Sequence, residues 1–329
     1  GISTSTRVSM LRRSPCAKSR FKPAAVDEFA LIRRFFSRDA EAADVGVGDD
    51  GAVLTPAPGL QQVQVIDTLV EGVHFPANIT AADVGYRAVA VNLSDVAAMG
   101  AQPRWMTLAL TLWDKDELWV EDFAAGLFAA ADEHGVALIG GDTTQGDSVV
   151  VSVHVTAEVE PGKALLRSGA RPGDTVFVTG TVGDAAAGLQ LRQDDDHAEF
   201  LVQRFLRPTA RVTTGRELRG VAHAAIDLSD GLVADLSKLL AASGVGAEID
   251  IEDIPLSAAL RNRFGEDEQR RFALTGGDDY ELCFTAHADS VDDIDNVTAI
   301  GRVVVDPVLT CRQDGVVVEV DAAGYRHFA

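Results

Sequence analysis

The sequence predicts a protein of two α/β domains, and three observations support this prediction. A chain of 329 residues with 47% hydrophobic residues is long enough for about two domains with buried cores. Short runs rich in β-branched residues alternate with longer stretches of helical periodicity. Residues 158–174 read EVEPGKALLRSGARPGD, and such a concentration of proline, glycine and charge is typical of a domain boundary.

We therefore predict a tail at residues 1–26, an N-terminal domain at 27–160 and a C-terminal domain at 161–329. Six basic residues of the tail lie among serines, and no acidic residue precedes Asp27. This composition is found in transit peptides and also in extensions that stay disordered; we favour the second interpretation.

The N-terminal domain begins with a predicted helix whose N-cap is Asp27, because Phe29, Ile32 and Phe36 fall on one helical face. The same periodicity predicts helices at residues 83–99 and 117–134. Alternating β-branched residues predict strands at 64–66, 107–112, 137–139 and 149–155.

The C-terminal domain shows the same mixture of patterns. A strand at residues 174–179, a turn at 180–183 and a helix at 184–192 come first. Further helices are predicted at 209–218 and 230–242, and strands at 282–285, 299–304 and 316–320.

The overall charge is strongly acidic, with 29 basic and 50 acidic residues and a net charge of -21. Such a chain repels nucleic-acid backbones and anionic lipids, so we expect neither a nucleic acid nor a membrane as partner. The three cysteines lack C-x-x-C spacing, which suggests neither a disulfide framework nor a zinc site. We expect a cytoplasmic protein.

Aspartates recur at the ends of apolar runs in both halves of the chain, in QVQVIDT, VALIGGDT, HAAIDLSD and FALTGGDDYEL. A single aspartate is more often a solvated surface acid, but at the end of a strand it lies where an α/β sheet opens its ligand crevice. Converging carboxylates repel one another unless cations lie between them. Mg²⁺ commonly combines carboxylates with phosphate oxygens, so the recurrence predicts phosphoryl transfer.

Other routes to phosphate binding have little support. The chain contains no G-x-x-x-x-G-K-[ST] and no protein-kinase H-R-D or D-F-G set. The string from Gly46 to Gly51 matches G-x-G-x-x-G but contains two acids and precedes a strand-like run, so we interpret it as a metal-binding turn. Residues 179–184 are either a phosphate-binding helix N-terminus or an ordinary turn.

Nucleophilic catalysis is also poorly supported, because no base is placed beside a hydroxyl group. Ser229 is either a helix cap or a ligand contact. His74 is interpreted from its surroundings as a packed histidine, and Cys283 as a buried thiol.

Nine segments resemble the thiamine-monophosphate kinase family in their order and spacing: GVGDDGAVL, VIDTLVEGVHF, AVAVNLSDVAAMGAQPRW, LIGGDTT, SGARPGD, VTGTVGDAAAGL, RPTAR, AIDLSDGLVADL and TGGDDYEL. The resemblance extends from about residue 27 to residue 328. It implies the two-domain α/β fold of aminoimidazole ribonucleotide synthetase. In that fold the N-terminal domains of two subunits form a shared β-barrel, with ATP near the interface of the homodimer.

The resemblance also implies roles for individual residues. It assigns Mg²⁺ to six carboxylates, those of Asp50, Asp67, Asp95, Asp142, Asp227 and Asp230. It assigns contacts with ATP to Arg167, Ser229, Gly141 and Asp142, and contacts with thiamine phosphate to His74, Asp278 and Tyr325. We expect catalysis to depend most on Asp142, Asp227 and Asp230.

Two departures from the family pattern stand near these positions. Asp278 occupies a place where the family usually has Glu, which shortens the side chain by one methylene. Val65 and Ile66 replace the hydroxyl residues often found before Asp67.

The implied function is the ATP-dependent phosphorylation of thiamine phosphate to thiamine diphosphate, by direct in-line transfer with several Mg²⁺ ions. The acceptor is a phosphate monoester that is already anionic at neutral pH, so no general base is required. The alternatives are another ATP-using enzyme of the same superfamily and a metal-nucleotide binding module without activity. No cysteine lies between residues 27 and 67, where selenophosphate synthetase needs a reactive residue, and the chain ends GYRHFA rather than in the cysteine tail of a hydrogenase-maturation dehydratase.

Overall fold

The computed structural model describes residues 28–38, 43–114, 116–191 and 198–320. The predicted tail, the predicted N-cap Asp27 and the predicted substrate contact Tyr325 lie outside these residues. Within them, the chain forms two β-sheets and the helices that pack on them, which confirms the mixed α/β architecture.

The first sheet has four strands in the order β1-β4-β2-β3, of which only β2 and β3 are parallel. Its strands are β1 (Gln61–Val70), β2 (Gln102–Leu112), β3 (Ala137–Gln145) and β4 (Val150–Val159). The helices of this half are α1 (Glu28–Leu31), which continues as a π-helical turn (Ile32–Phe36), α2 (Ala81–Ala98) and α3 (Glu117–His134). All the strands and helices predicted for this half from residue 64 to residue 155 are present, and most of the strands are longer than predicted.

Helix α2 is the central element of the molecule. Thr80 caps it by accepting a hydrogen bond from the backbone amide of Asp83, and its side chains are buried almost all round. Glycines allow close packing on both sides. A Cβ at Gly85 would lie 2.1 Å from the Phe123 carbonyl oxygen of α3, and a Cβ at Gly215 would lie 2.0 Å from the Ala97 carbonyl oxygen. The helix therefore carries polar residues of the first half to the surface of the second.

The second sheet has seven strands in the order β11-β10-β7-β9-β5-β8-β6, and only β7 and β10 are parallel. Its strands are β5 (Thr175–Thr179), β6 (Ala224–Asp227), β7 (Gly246–Asp250), β8 (Leu282–Ala286), β9 (Val297–Val304), β10 (Leu309–Gln313) and β11 (Val316–Val318). The helices are α4 (Asp184–Gln190), α5 (Glu199–Leu206), α6 (Val212–Glu217), α7 (Leu232–Ser243), α8 (Ala258–Arg263) and α9 (Glu266–Thr275).

Several elements of the second half were not predicted, namely β7, β10, α5, α8 and α9. The strand β6 ends at Asp227, as predicted from the segment HAAIDLSD. Helix α9 begins with EDEQRR, which hides its apolar face from a periodicity search. The run FALT before Asp278 belongs to this helix, so the interpretation of Asp278 as the end of a strand was wrong. No helix in the described part of the chain is long and apolar enough to cross a membrane.

Candidate active site

Three of the predicted metal ligands meet where α2 lies against the second sheet. Asp67 belongs to β1, Asp95 lies in the last turn of α2, and Asp227 is the final residue of β6. Asp95 and Asp227, together with Arg167, line a cavity of about 270 Å³. Residues far apart in sequence thus converge at one place.

Polar neighbours on α2 hold these aspartates in position. The Asn92 side-chain oxygen accepts a 2.9 Å hydrogen bond from the Asp67 backbone amide, while its amide nitrogen donates to the Ala88 carbonyl at 2.9 Å. The Ser94 hydroxyl donates to Oδ2 of Asp227 at 2.8 Å. Asn92, Ser94 and Asp95 all belong to the four-residue Asn-Leu-Ser-Asp segment, so one turn of helix organises this part of the site.

Burial and mutual repulsion perturb all three carboxylates. Burial raises the pKa of Asp67 to about 6, and the negative charges of Asp227 and Asp230 add to the shift. Burial and the charge of Asp67 raise the pKa of Asp95 to about 6, against the opposing effect of Arg167. Burial and the charge of Asp95 raise the pKa of Asp227 to about 7, although the hydrogen bond from Ser94 opposes this. Full ionisation is therefore costly unless a cation shares the site.

A turn at residues 229–231 follows Asp227 and leads into α7. The amides of Ser229, Asp230 and Gly231 all donate to Oδ2 of Asp235, at 3.0, 2.9 and 3.1 Å. The N-cap of α7 is Gly231, without a side-chain cap, so the interpretation of Ser229 as a helix cap was wrong. The carboxylate of Asp235, rather than the Ser229 side chain, accepts hydrogen bonds from the amides of this turn.

Asp50, Gly141 and Asp142 form a second group. With Asp49 and apolar residues of the first helix, they line a cavity of about 410 Å³. A Cβ at Gly141 would lie 1.9 Å from the Leu108 carbonyl oxygen, so only glycine allows β3 to lie this close to β2. Residues 46–51 form an irregular loop with an isolated bridge between Val45 and Val53, and no helix follows. This agrees with a turn rather than a dinucleotide fingerprint.

The two groups are separated within the chain. Asp67 lies on edge strand β1 and Asp142 on edge strand β3, with β4 and β2 between them. Three strand spacings correspond to about 14 Å. Among the described residues, no three His, Cys, Asp or Glu side chains are arranged to hold one metal ion. Neither aspartate ends its strand, contrary to prediction, because β1 and β3 continue beyond them; only Asp227 does so.

Asp278 lies beside the Ser229 turn but is already paired. Its backbone amide donates to the Ser229 carbonyl at 2.9 Å. Its carboxylate accepts hydrogen bonds from the buried guanidinium of Arg87 and, at 3.2 Å, from the Tyr280 hydroxyl. The guanidinium also lies 4.4 Å from the Phe205 ring centroid. Asp278 has a φ of 72°, in the left-handed region that residues other than glycine seldom adopt.

The remaining candidates are accounted for locally. Nδ1 of His74 accepts a 3.0 Å hydrogen bond from the Val70 amide, and the side chain is partly buried, in agreement with a packed histidine. Cys283 is buried, and burial raises the pKa of its thiol well above the usual range, as expected for an inert residue. The N-terminus of α4 carries the Asp279 carboxylate, which accepts from the Gly183 amide at 2.6 Å and the Ala185 amide at 3.2 Å. These bonds favour the ordinary turn over the phosphate site.

Sequence reasoning missed four residues that shape this site: Asn92, Ser94, Asp235 and Lys238. Three of them stand in segments already singled out, NLSDV and DLSDGLVADL. Their role depends on contacts across the chain that spacing does not reveal.

The two sheets and the aspartates between them define a member of the AIR synthase related class of proteins. The protein-family model for the AIR synthase related protein N-terminal domain matches residues 48–159 of this chain. The family model for the C-terminal domain matches residues 171–312. The thiamine-monophosphate kinase of Salmonella typhimurium is 45% identical over 325 residues, which cover 93% of this chain and 99% of that protein. This chain belongs to the thiamine-monophosphate kinase family of enzymes.

Solved structures agree with this assignment. The crystal structure of thiamine-monophosphate kinase from Stenotrophomonas maltophilia K279a has a TM-score of 0.81 at 46% identity, covering 88% of this chain and 96% of that one. The structure of AaThiL complexed with AMPPCP and TMP has a TM-score of 0.77 at 35% identity, covering 91% of this chain and 96% of that one.

Proposed function

We propose that this enzyme transfers the γ-phosphoryl group of ATP to thiamine phosphate and so forms thiamine diphosphate, the last step in making that compound. The main support is the cluster of Asp67, Asp95 and Asp227, whose raised pKa values point to a site that needs cations. AMPPCP is an analogue of ATP, and AaThiL binds it together with TMP.

The carboxylates fit Mg²⁺ by their chemistry. All the charged groups of the cluster are oxygen donors, which hard cations prefer, and Asp230 adds to the field at Asp67. Mg²⁺ usually binds one or two carboxylates and completes its shell with waters and phosphate oxygens, so a preformed set of three protein ligands is not required. We propose that Asp67, Asp95, Asp227 and Asp230 hold Mg²⁺, and that Asp50 and Asp142 do so in the second group. Bound there, Mg²⁺ supplies positive charge that neutralises the reacting phosphates.

The chain's own residues position the reactants. Arg167 faces the cavity beside Asp95 and Asp227 and provides a cation for a phosphate of ATP. Ser229 lies in the adjoining turn, where its hydroxyl can contact the nucleotide. The acceptor oxygen is anionic at neutral pH, so transfer proceeds in line without a base or a phosphoenzyme. Inversion at a chirally labelled γ-phosphate is expected, and retention contradicts the direct transfer.

Asp278 and His74 are proposed to contact thiamine phosphate, as is Tyr325 outside the described residues. The pairing of Asp278 with Arg87 leaves its second carboxylate oxygen for the substrate, because Arg87 and Tyr280 both donate to Oδ1. A carboxylate at this place suits the positive thiazolium ring.

We further propose a homodimer with a shared β-barrel. On the edge strand β1, Ile66 is 63% exposed, an unusual setting for a large apolar side chain in a sheet. A second sheet packed here would cover it, and the separation of Asp142 from Asp67 within one chain would be overcome if the second subunit supplied one of them. Light scattering at micromolar concentration tests this, since a monomer contradicts the shared barrel.

The reaction is tested by incubating the protein with ATP, Mg²⁺ and thiamine phosphate and separating the products by chromatography, with plain thiamine as a parallel acceptor. Thiamine diphosphate formed from thiamine phosphate alone supports the proposal. No product from either acceptor, with folded protein, contradicts it and leaves a binding role.

We also propose a cytoplasmic location, because the buried cysteines Cys283 and Cys311 are free thiols, as a reducing compartment maintains them.

A further inference from the structure

The turn that carries Asp230 is held by a single side chain. Asp235 is buried, with 1% of its side chain exposed, and its Oδ2 accepts the three amides of residues 229–231. Burial raises the pKa of Asp235, and the hydrogen bonds from Lys238 and from the backbone amide of Asp230 oppose that rise, so these donors stabilise the carboxylate as an anion beneath the turn.

A lysine one turn further along α7 connects this anion to Asp230. Nζ of Lys238 donates to Oδ1 of Asp235 at 2.7 Å and to Oδ2 of Asp230 at 2.5 Å. The Lys238 side chain is 41% exposed and that of Asp230 is 32% exposed, so both extend from the turn toward solvent. The carboxylate of Asp230 is therefore already paired with the ammonium group of Lys238.

We propose that Lys238 is a positioning residue that holds Asp230 and competes with divalent cations for it. The inference rests on the proposed metal site at Asp230. An ammonium group in contact with Oδ2 occupies one of the carboxylate's binding directions and repels a second cation nearby. Asp235 anchors the ammonium, since it binds the same nitrogen and cannot move without losing the three backbone amides.

The consequence is a higher Mg²⁺ requirement than the carboxylates alone would set. Lys238→Met removes the charge but keeps most of the apolar stem, and it lowers the half-saturating Mg²⁺ concentration about three- to tenfold, the size expected for one partly solvated neighbouring charge. Lys238→Arg keeps the charge and keeps the wild-type requirement. Lys163→Met is the matched control, because Lys163 is exposed at the domain linker and its loss leaves metal binding unchanged.

Calorimetric titration of Mg²⁺ into the full-length protein with AMPPCP measures this directly, without turnover. Hydrogen exchange of the amides of residues 229–231 reports whether Asp235 still holds the turn, and the amide of Tyr280, bonded to the Leu228 carbonyl at 2.8 Å, is the internal reference. If the Met variant loses that protection, Lys238→Gln provides the same comparison with a side chain that can still donate to Asp235.

The outcomes are distinct. A lower half-saturating concentration in the uncharged variants, with the Arg variant unchanged, supports the inference. An unchanged or higher half-saturating Mg²⁺ concentration in the uncharged variants, with the amides of residues 229–231 still protected from exchange, overturns the inference about Lys238 but not the proposed metal site. A wild-type protein that binds no Mg²⁺ with AMPPCP overturns both this inference and the proposed metal site.

Discussion

The hydroxyl of Ser94 donates a 2.8 Å hydrogen bond to Oδ2 of Asp227, although 133 positions separate the two residues. Ser94 lies on α2, in the half that contains the first sheet, and Asp227 ends a strand of the second sheet. Both are buried, so this bond ties a carboxylate of the candidate site to the helix that carries Asp95.

Replacing Ser94 tests the value of this bond. Ser94→Ala removes the hydrogen bond that lowers the pKa of Asp227 and leaves only the charge of Arg167 to oppose the effect of burial, so that pKa rises above about 7. We expect the acidic limb of the pH profile of kcat/KM to move to higher pH and the free energy of unfolding to fall by about 1 kcal/mol. Ser237→Ala is the control, because Ser237 donates only to the Val233 carbonyl within α7. An unchanged pH profile in Ser94→Ala would contradict the effect of this hydrogen bond on the pKa of Asp227.

The pH dependence of stability without Mg²⁺ follows from the raised pKa values. Folding raises the pKa of Asp67, Asp95 and Asp227 from 3.8 to about 6, 6 and 7, so the folded protein binds protons more tightly than the unfolded chain. The free energy of unfolding therefore falls as pH rises from about 4 to about 7.

Urea unfolding at pH 5 and pH 8, with and without Mg²⁺ and AMPPCP, measures this effect. The ligands should reduce the difference, because they stabilise the ionised carboxylates. Part of the difference in stability between pH 5 and pH 8 will remain, since burial raises the pKa of Asp279 to about 8. This residue lies at the N-terminus of α4, away from the proposed metal. If the free energy of unfolding without ligands instead rose between pH 5 and pH 8, folding would not raise the pKa values of these carboxylates.

Asp227→Asn separates catalysis from stability. Turnover is expected to fall at least about a thousandfold, far more than affinity for AMPPCP, because charge neutralisation matters most in the transition state. The free energy of unfolding at pH 8 without Mg²⁺ should rise, since a repelled buried charge is removed. Asp122→Asn, exposed on α3, is the control. Equal losses of turnover and nucleotide affinity would instead favour a binding module.

The pair of Arg87 and Asp278 is expected to matter for folding as well as for substrate. Asp278→Asn leaves a guanidinium that is 1% exposed without its anion, and we expect a loss of about 2–4 kcal/mol in the free energy of unfolding. Asp267→Asn breaks a pair whose carboxylate is 95% exposed and should change stability by less than about 0.5 kcal/mol. Similar losses in the two variants would contradict the structural role of the pair.

Mixing two inactive variants tests whether two subunits share a site. Asp142→Asn and Asp227→Asn change residues of the two separate groups, so a mixed dimer has one unaltered site only if each site takes one group from each subunit. Co-refolding at equal amounts should then restore about a quarter of the wild-type rate, since half of the dimers are mixed and each has one working site. No recovery in dimers shown to be mixed would place each site within one subunit.

Much of the local structure could be predicted because it depends on short-range patterns. The helix predicted at residues 117–134 has those bounds in the structure, where Asp116 caps its start and Gly135 ends it. The unpredicted α9 shows the limit of such patterns, because its charged first turns are stabilised by the packing of Phe272 and Leu274 rather than by a visible apolar stripe.

The sequence by itself determined the class of fold and the family, and it indicated which aspartates to examine, because order and spacing of motifs are properties of the chain alone. Tertiary structure decided which of those residues meet. It brings Asp67, Asp95 and Asp227 together, leaves Asp142 at the opposite edge of the sheet, and places Lys238 on Asp230 and Arg87 on Asp278. The reason is physical: pKa values, ion pairs and distances depend on burial and on neighbours from distant segments, which exist only once α2 has packed against the second sheet.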